Sequence, residues 1–201
     1  RLYRMVTEQT LRSVGSVARR GPGPLLRALA DGSIDLGLFA PEAQSERMRM
    51  VVALHGFRLH RESLAALSRT MWSGEERFAE HYWRGRNLEG LKREKDAINA
   101  YGAALQERPG SVEVLMRVAG LQFRGGEFDQ CQATLLAVLQ VDAQNVEARI
   151  LLADTYGKQR RYEEAAAVAR ETLELAPRDP HAQDQIMMYS GARPKKTPTG
   201  G

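Results

Sequence analysis

"RRYEEAAAVARETLELAPRDP", residues 160–180, decides the fold. Its Ala, Val and Leu residues recur with helical spacing, and Pro177 closes the run because proline cannot continue a helix. Asp179-Pro180 then offers a side-chain cap and a proline at the first helical position, so another helix starts at once. A helix that stops and restarts so soon reads as one step of a ladder. A ladder predicts further steps at a fixed distance upstream.

Those steps are present at a period of 34 residues. "SVEVLMRVAGLQFRGGEFDQCQATLLAVLQVDAQ" (111–144) falls on "NVEARILLADTYGKQRRYEEAAAVARETLELAPR" (145–178), with Ala119 on Ala153, Phe128 on Tyr162 and Cys131 on Ala165. One more shift reaches "RFAEHYWRGRNLEGLKREKDAINAYGAALQERPG" (77–110), with Gly85 and Ala97 in the small-residue places and Pro109 matching Pro177. Small residues at these places let the two helices of a hairpin approach closely. A lone hairpin cannot bury its apolar face, so such repeats stack.

The pattern resembles the tetratricopeptide repeat (TPR) family. The family's small residue early in the first helix is Gly85, Ala119 or Ala153, and that of the second helix is Ala97, Cys131 or Ala165. Its aromatic near the end of the first helix is met by Tyr156 and replaced by Leu88 and Gln122, and its closing proline is met at Pro109 and Pro177 and replaced by Ala143. The large residue expected near the start is His81, Leu115 or Arg149, a departure. The resemblance covers residues 77–178 and implies an all-α, right-handed α-solenoid of TPR hairpins with capping helices at both ends.

The expected organisation is an N-terminal helical cap (1–42), a degenerate hairpin (43–76), repeats at 77–110, 111–144 and 145–178, a C-terminal capping helix (179–190) and a disordered tail (191–201). In the degenerate hairpin, Val51 and Ser63 take the small positions. The capping helix carries Ile186, Met187, Met188 and Tyr189, more apolar than a solvent-facing lid requires.

The single cysteine, Cys131, excludes an internal disulfide and a cysteine-based zinc site, and fits the cytoplasm or another reducing compartment. Residues 1–30 hold six Arg against Glu8. This Arg-rich start also reads as an organellar import signal or a helix lying on an anionic membrane, but the stripe of Leu2, Met5, Val6, Leu11 and Val14 favours a docked terminal helix. The middle of the chain is acidic overall, which argues against nucleic acid as the partner.

No catalytic constellation stands out, and no enzymatic activity, cofactor or metal is expected. His55 and His60 are five apart, which on one helix separates the imidazoles and departs from the H-E-x-x-H pattern. Cys131 fills a packing position, and "FRGGEF" is a turn between helices rather than a phosphate loop.

In TPR stacks the first helix of each hairpin lines the concave groove. The resemblance therefore implies groove residues Tyr82, Trp83, Arg86 and Glu89; Glu113, Met116, Arg117, Phe123 and Arg124; and Glu147, Ile150, Leu151, Asp154 and Lys158. The degenerate hairpin adds Met48 and Arg49. Apolar anchors mixed with Arg suit a protein or peptide partner bearing acidic residues. An opposing reading packs Tyr82, Trp83 and Met116 against the chain itself. The Lys and Asn of carboxylate-clamp TPRs are missing, since those slots hold Tyr82, Arg86, Arg117, Ile150 and Leu151. The expected function is a non-enzymatic adaptor, scaffold, chaperone or assembly subunit, self-association or a larger complex included. The alternative is an accessory or regulatory region of a larger enzyme or secretion machine that docks through its terminal helices.

Overall fold

The computed structural model describes residues 46–68, 72–74 and 76–191. The N-terminal segment 1–42, the start of the degenerate hairpin and the tail beyond Gly191 lie outside them. The described residues form α1 (Glu46–Gly56), α2 (His60–Ser68), α3 (Glu76–Gly90), α4 (Glu94–Glu107), α5 (Val112–Arg124), α6 (Phe128–Val141), α7 (Val146–Lys158), α8 (Tyr162–Leu175) and α9 (Pro180–Gly191). The chain divides into two compact units between Arg108 and Pro109. Unit 1 holds α1–α4 and unit 2 holds α5–α9.

The period seen in the sequence is written into the backbone. Arg58, Lys92, Gly126 and Arg160, successive steps of 34, all have φ between 60° and 76°. Each ends the first helix of a hairpin in the same way. The N–H of the next residue bonds back to the carbonyl five residues earlier: Leu59 to Leu54, Arg93 to Leu88, Glu127 to Gln122 and Arg161 to Tyr156, all at 2.9 Å. The left-handed residue itself bonds to His55, Glu89, Phe123 and Gly157 respectively, at 2.8 to 3.1 Å. This is the Schellman closure, which satisfies carbonyls left over at a helix end. Helix starts repeat too. Asn145 Oδ1 accepts the Ala148 N–H at 2.9 Å, and Asp179 Oδ1 accepts the Ala182 N–H at 2.9 Å.

Close approach fixes the helix pairs. A Cβ on Gly85 would lie 2.5 Å from the ring of Tyr101, a fully buried side chain of α4. A Cβ on Gly157 of α7 would lie 2.5 Å from the ring of Tyr189 on α9. Ala97, Ala119, Cys131, Ala153 and Ala165 are likewise fully buried. In unit 1 a core of Met48, Val51 and Leu67 is joined by Leu64, Trp72 and Trp83. In unit 2 Tyr189 packs with Ala165 and Ala166, flanked by Tyr156 and Tyr162. On α9 the residues Ala182, Gln185 and Tyr189 are buried, whereas Met187 and Met188 remain 72% and 63% exposed.

Candidate functional site

The sequence points to the first helix of each hairpin. In unit 1, α3 gathers an aromatic and cationic cluster. The Arg86 guanidinium lies 5.7 Å from the Tyr82 ring centroid and 5.5 Å from that of Trp83, and it donates to Tyr82 Oη at 2.8 Å. Tyr82 is stacked on Phe78 in turn, at 6.2 Å. These contacts hold the cation in one place at little entropic cost. Among the described residues Arg86 makes no ion pair. Glu89, one turn on, accepts the Tyr101 hydroxyl at 2.7 Å.

Two expectations for this unit need correcting. Met48 and Tyr82 are buried, at 3% and 8% exposure, because Met48 packs with Val51 and Leu67 and Tyr82 lies between Phe78 and Trp83. Trp83 is half-buried. The side chain of Arg49 lies outside the described residues.

His55 and His60 are also not apart. The chain turns between α1 and α2, and their ring centroids approach to 5.0 Å. Both rings bond through Nδ1 to one atom, Asn87 Oδ1, at 3.1 Å each. The Asn87 amide orientation follows from its partners, since Nδ2 donates to the Trp83 carbonyl at 2.7 Å and to Ser63 Oγ at 2.8 Å. Its oxygen therefore faces the imidazoles, and both carry their proton on Nδ1. Ser63 donates onward to the Val51 carbonyl at 3.0 Å. Asn87 is fully buried and every one of its hydrogen-bonding positions is used. The hub therefore ties α1 and α2 to α3.

In unit 2 the α5 candidates divide by exposure. Glu113 and Arg124 are exposed, and Met116, Arg117 and Phe123 are half-buried. The Phe123 ring meets Phe128 of α6 edge-on at 5.7 Å. On α7, Glu147 and Lys158 are exposed, and Ile150, Leu151 and Asp154 are half-buried. The capping helix reaches Asp154. Gln185 Nε2 donates to Asp154 Oδ1 at 2.8 Å and to the Ile150 carbonyl at 2.9 Å, and Tyr189 Oη donates to the same Oδ1 at 2.9 Å. Burial, then the bond to Asp154, pushes the Tyr189 phenol well above its usual value. Gln185 and Tyr189 were not singled out as site residues in the sequence; their contact with α7 depends on how the last helix docks.

Cys131 sits 3.3 Å from the Ala119 carbonyl and 3.4 Å from Thr155 Oγ1. Burial raises its thiol pKa, against the smaller opposing effect of Thr155. A protonated, enclosed thiol is a packing group rather than a nucleophile. Among the described residues no group of three or more His, Cys, Asp or Glu could hold a metal ion, and no helix is long and apolar enough to cross a membrane.

Comparison with known proteins agrees with this architecture. Two family models, both described as tetratricopeptide repeat, match residues 90–144 and 146–179. The sequence matches none of the curated proteins. Among solved structures, the TPR protein YrrB, described as having an unusual peptide-binding site, is 19% identical with a TM-score of 0.63, covering 88% of this chain and 86% of its own. The Arabidopsis OM64 TPR domain is 21% identical with a TM-score of 0.54, covering 59% of this chain and 98% of its own. The first TPR of Spaghetti (RPAP3), bound to the HSP90 peptide SRMEEVD, is 16% identical with a TM-score of 0.55, covering 61% and 98%. These likenesses show an all-α fold of the TPR solenoid class.

Proposed function

Since the chain belongs to the tetratricopeptide repeat family, we propose that it is a non-enzymatic protein–protein interaction module, an adaptor or assembly subunit. It grips a partner segment on the first helices of its hairpins. The observation that carries this reading is Arg86. Its guanidinium lies against the Tyr82 and Trp83 rings, is tethered to Tyr82 Oη, and is without a carboxylate partner among the described residues. A held guanidinium binds a carboxylate in two parallel hydrogen bonds, and the half-buried Trp83 beside it adds apolar contact area. The partner is therefore a segment with an acidic side chain placed next to an apolar one. The Spaghetti neighbour, which holds an acidic peptide on the same fold, supports this class of partner. The Lys and Asn of a carboxylate clamp have no counterpart here, which favours an internal acidic residue over a free chaperone tail.

The test is affinity capture from the source lysate with the native chain and with Arg86→Glu, after matched melting curves show that both fold. A protein held by the native chain and lost by the variant is expected. The same proteins recovered with both chains would move binding away from α3.

A further inference from the structure

We propose that unit 1 holds a second anchoring cation, Arg108, and that the partner segment is diacidic, with one side-chain carboxylate for Arg86 and one for Arg108. This rests on the reading that the first helices grip an acidic segment, and adds to it a second charge and a spacing.

The two cations stand at the ends of one aromatic stack. Phe78 and Tyr82, one turn apart on α3, lie nearly parallel, at 11°, with ring centroids 6.2 Å apart. Arg86 is at the Tyr82 end, 5.7 Å from that ring's centroid. Arg108, the residue that ends α4, is at the Phe78 end, with its guanidinium carbon 4.4 Å from the centroid. The hairpin brings the end of α4 back to the start of α3, where Arg77 and Glu107 also pair at 2.8 Å. Residues 78, 82 and 86 are spaced by four, so they share one stripe of the helix.

The carboxylates nearest in sequence are committed elsewhere. Glu107 pairs with Arg77, and Glu80 pairs with Arg84 and His81. Among the described residues neither Arg86 nor Arg108 makes an ion pair. Arg108 is exposed, and the Phe78 face holds it by a cation–π contact. Among the described residues the other exposed cations of unit 1, such as Arg58, Arg61, Lys92 and Lys95, have no such ring beneath them. A guanidinium already resting on a ring loses less freedom when it takes a carboxylate than one waving in solvent. Two such groups at the ends of one stack repel a cationic partner and reward two acids.

Geometry limits how far apart those acids stand. The three contacts keep the guanidiniums within about 16 Å of each other, which an extended segment spans in about five residues. Side chains on one face of an extended segment recur every second residue, so acids two or four positions apart reach both cations. The half-buried rings of Phe78 and Trp83 offer apolar surface beside them.

The experiment selects phage-displayed random peptides on the full chain, then measures the best synthetic peptide against the native protein, Arg86→Gln and Arg108→Gln. Selected peptides should carry two acids at one recurring separation. Each variant should bind about tenfold or more weakly. Replacing one peptide acid by its amide should cost as much as losing Arg108, with no further loss when both changes are combined, and the other acid should couple to Arg86 in the same way. The amide peptides need no change to the protein, so they decide the charge requirement even if a variant folds poorly. Peptides with a single recurring acid, weakened in Arg86→Gln but not in Arg108→Gln, would overturn the second anchor and leave the groove reading intact. Two recurring acids with undiminished binding to Arg108→Gln would overturn the assignment of the second acid to Arg108. No selected peptide at all, or peptides indifferent to both substitutions, would overturn both readings. Sedimentation in which the chain pairs with itself, and ceases to do so in Arg108→Gln, would put a second copy on the stack and overturn the assignment to a separate partner.

Discussion

The two units contain the same three-residue relay, built from different atoms. In unit 1 the Val51 carbonyl, Ser63 Oγ and Asn87 Nδ2 are linked at 3.0 and 2.8 Å. In unit 2 the Ala119 carbonyl, Cys131 Sγ and Thr155 Oγ1 are spaced at 3.3 and 3.4 Å. Each residue of the second set stands 68 positions, two repeats, after its counterpart in the first. The protons differ. In unit 1 each proton of the relay has its own acceptor, and Asn87 has an oxygen left over that recruits His55 and His60. In unit 2 the Thr155 hydroxyl is already committed to the Leu151 carbonyl at 2.7 Å, so the one thiol proton serves either neighbour but not both. The register of the ladder fixes where the two hairpins touch. The chemistry at that point is free to vary, and it determines how strongly they are joined.

The largest break in this comparison comes from Asn87→Ala. It leaves two imidazole N–H groups without their shared acceptor and Ser63 Oγ without its donor inside unit 1, and should cost about 3 kcal/mol. Denaturant unfolding with a probe at Trp83 measures it. Cys131→Ala removes a weaker sulfur contact and a small volume, and should cost about 1 kcal/mol in unit 2. Equal losses from the two substitutions would show that burial alone, and not proton supply, distinguishes the relays.

A third test uses pH. Tyr189 stands 34 residues after Thr155 and turns its hydroxyl to Asp154 instead of to the relay. Its phenol is raised in the folded chain by burial and by Asp154. The stabilisation is therefore whole below the ordinary tyrosine pKa of about 10 and is lost as pH rises toward the folded value. Between about pH 10 and 11 the loss is about 1 kcal/mol. Exchange protection of α9 should fall over that range in the native chain and much less in Tyr189→Phe. The smallest effect concerns the turns. Lys92 holds a φ of 61° where Gly126, its counterpart, pays no Cβ penalty. Lys92→Gly should stabilise unit 1 by about 0.5 kcal/mol, the relief of the side chain exceeding the entropy added to the unfolded chain. A loss of stability would mean that the lysine makes a contact outweighing its strain.

Most of the fold was legible because period is a property of the sequence. Gly85, Ala119 and Ala153 announce a close crossing, and Asp179-Pro180 announces a helix start. The turns were less legible. Three of their four left-handed residues are Arg or Lys, whereas turn rules favour Gly or Asn there, so only the spacing marks them. The spacing of the histidines misleads because five residues along one helix would separate the rings, whereas the turn at Arg58 folds His60 back toward His55. Nothing local singles out Asn87, whose importance comes from four partners on three helices. The candidate site was half legible. Arg86 and Trp83 follow from the resemblance. The occupation of Asp154 by Gln185 and Tyr189 needs the docked position of α9.

Met187 stands in the register of Gly85, Ala119 and Ala153, the place where the other hairpins admit a crossing helix. Here a flexible thioether projects into solvent at 72% exposure. For protein engineering this residue is a stop. A further helix grafted after Gly191 would meet the methionine before it reached the backbone of α9. Met187→Ala, followed by a copy of the α8 sequence, should turn the last helix into an acceptor for one more hairpin half, and lengthening the array by design begins with that side chain.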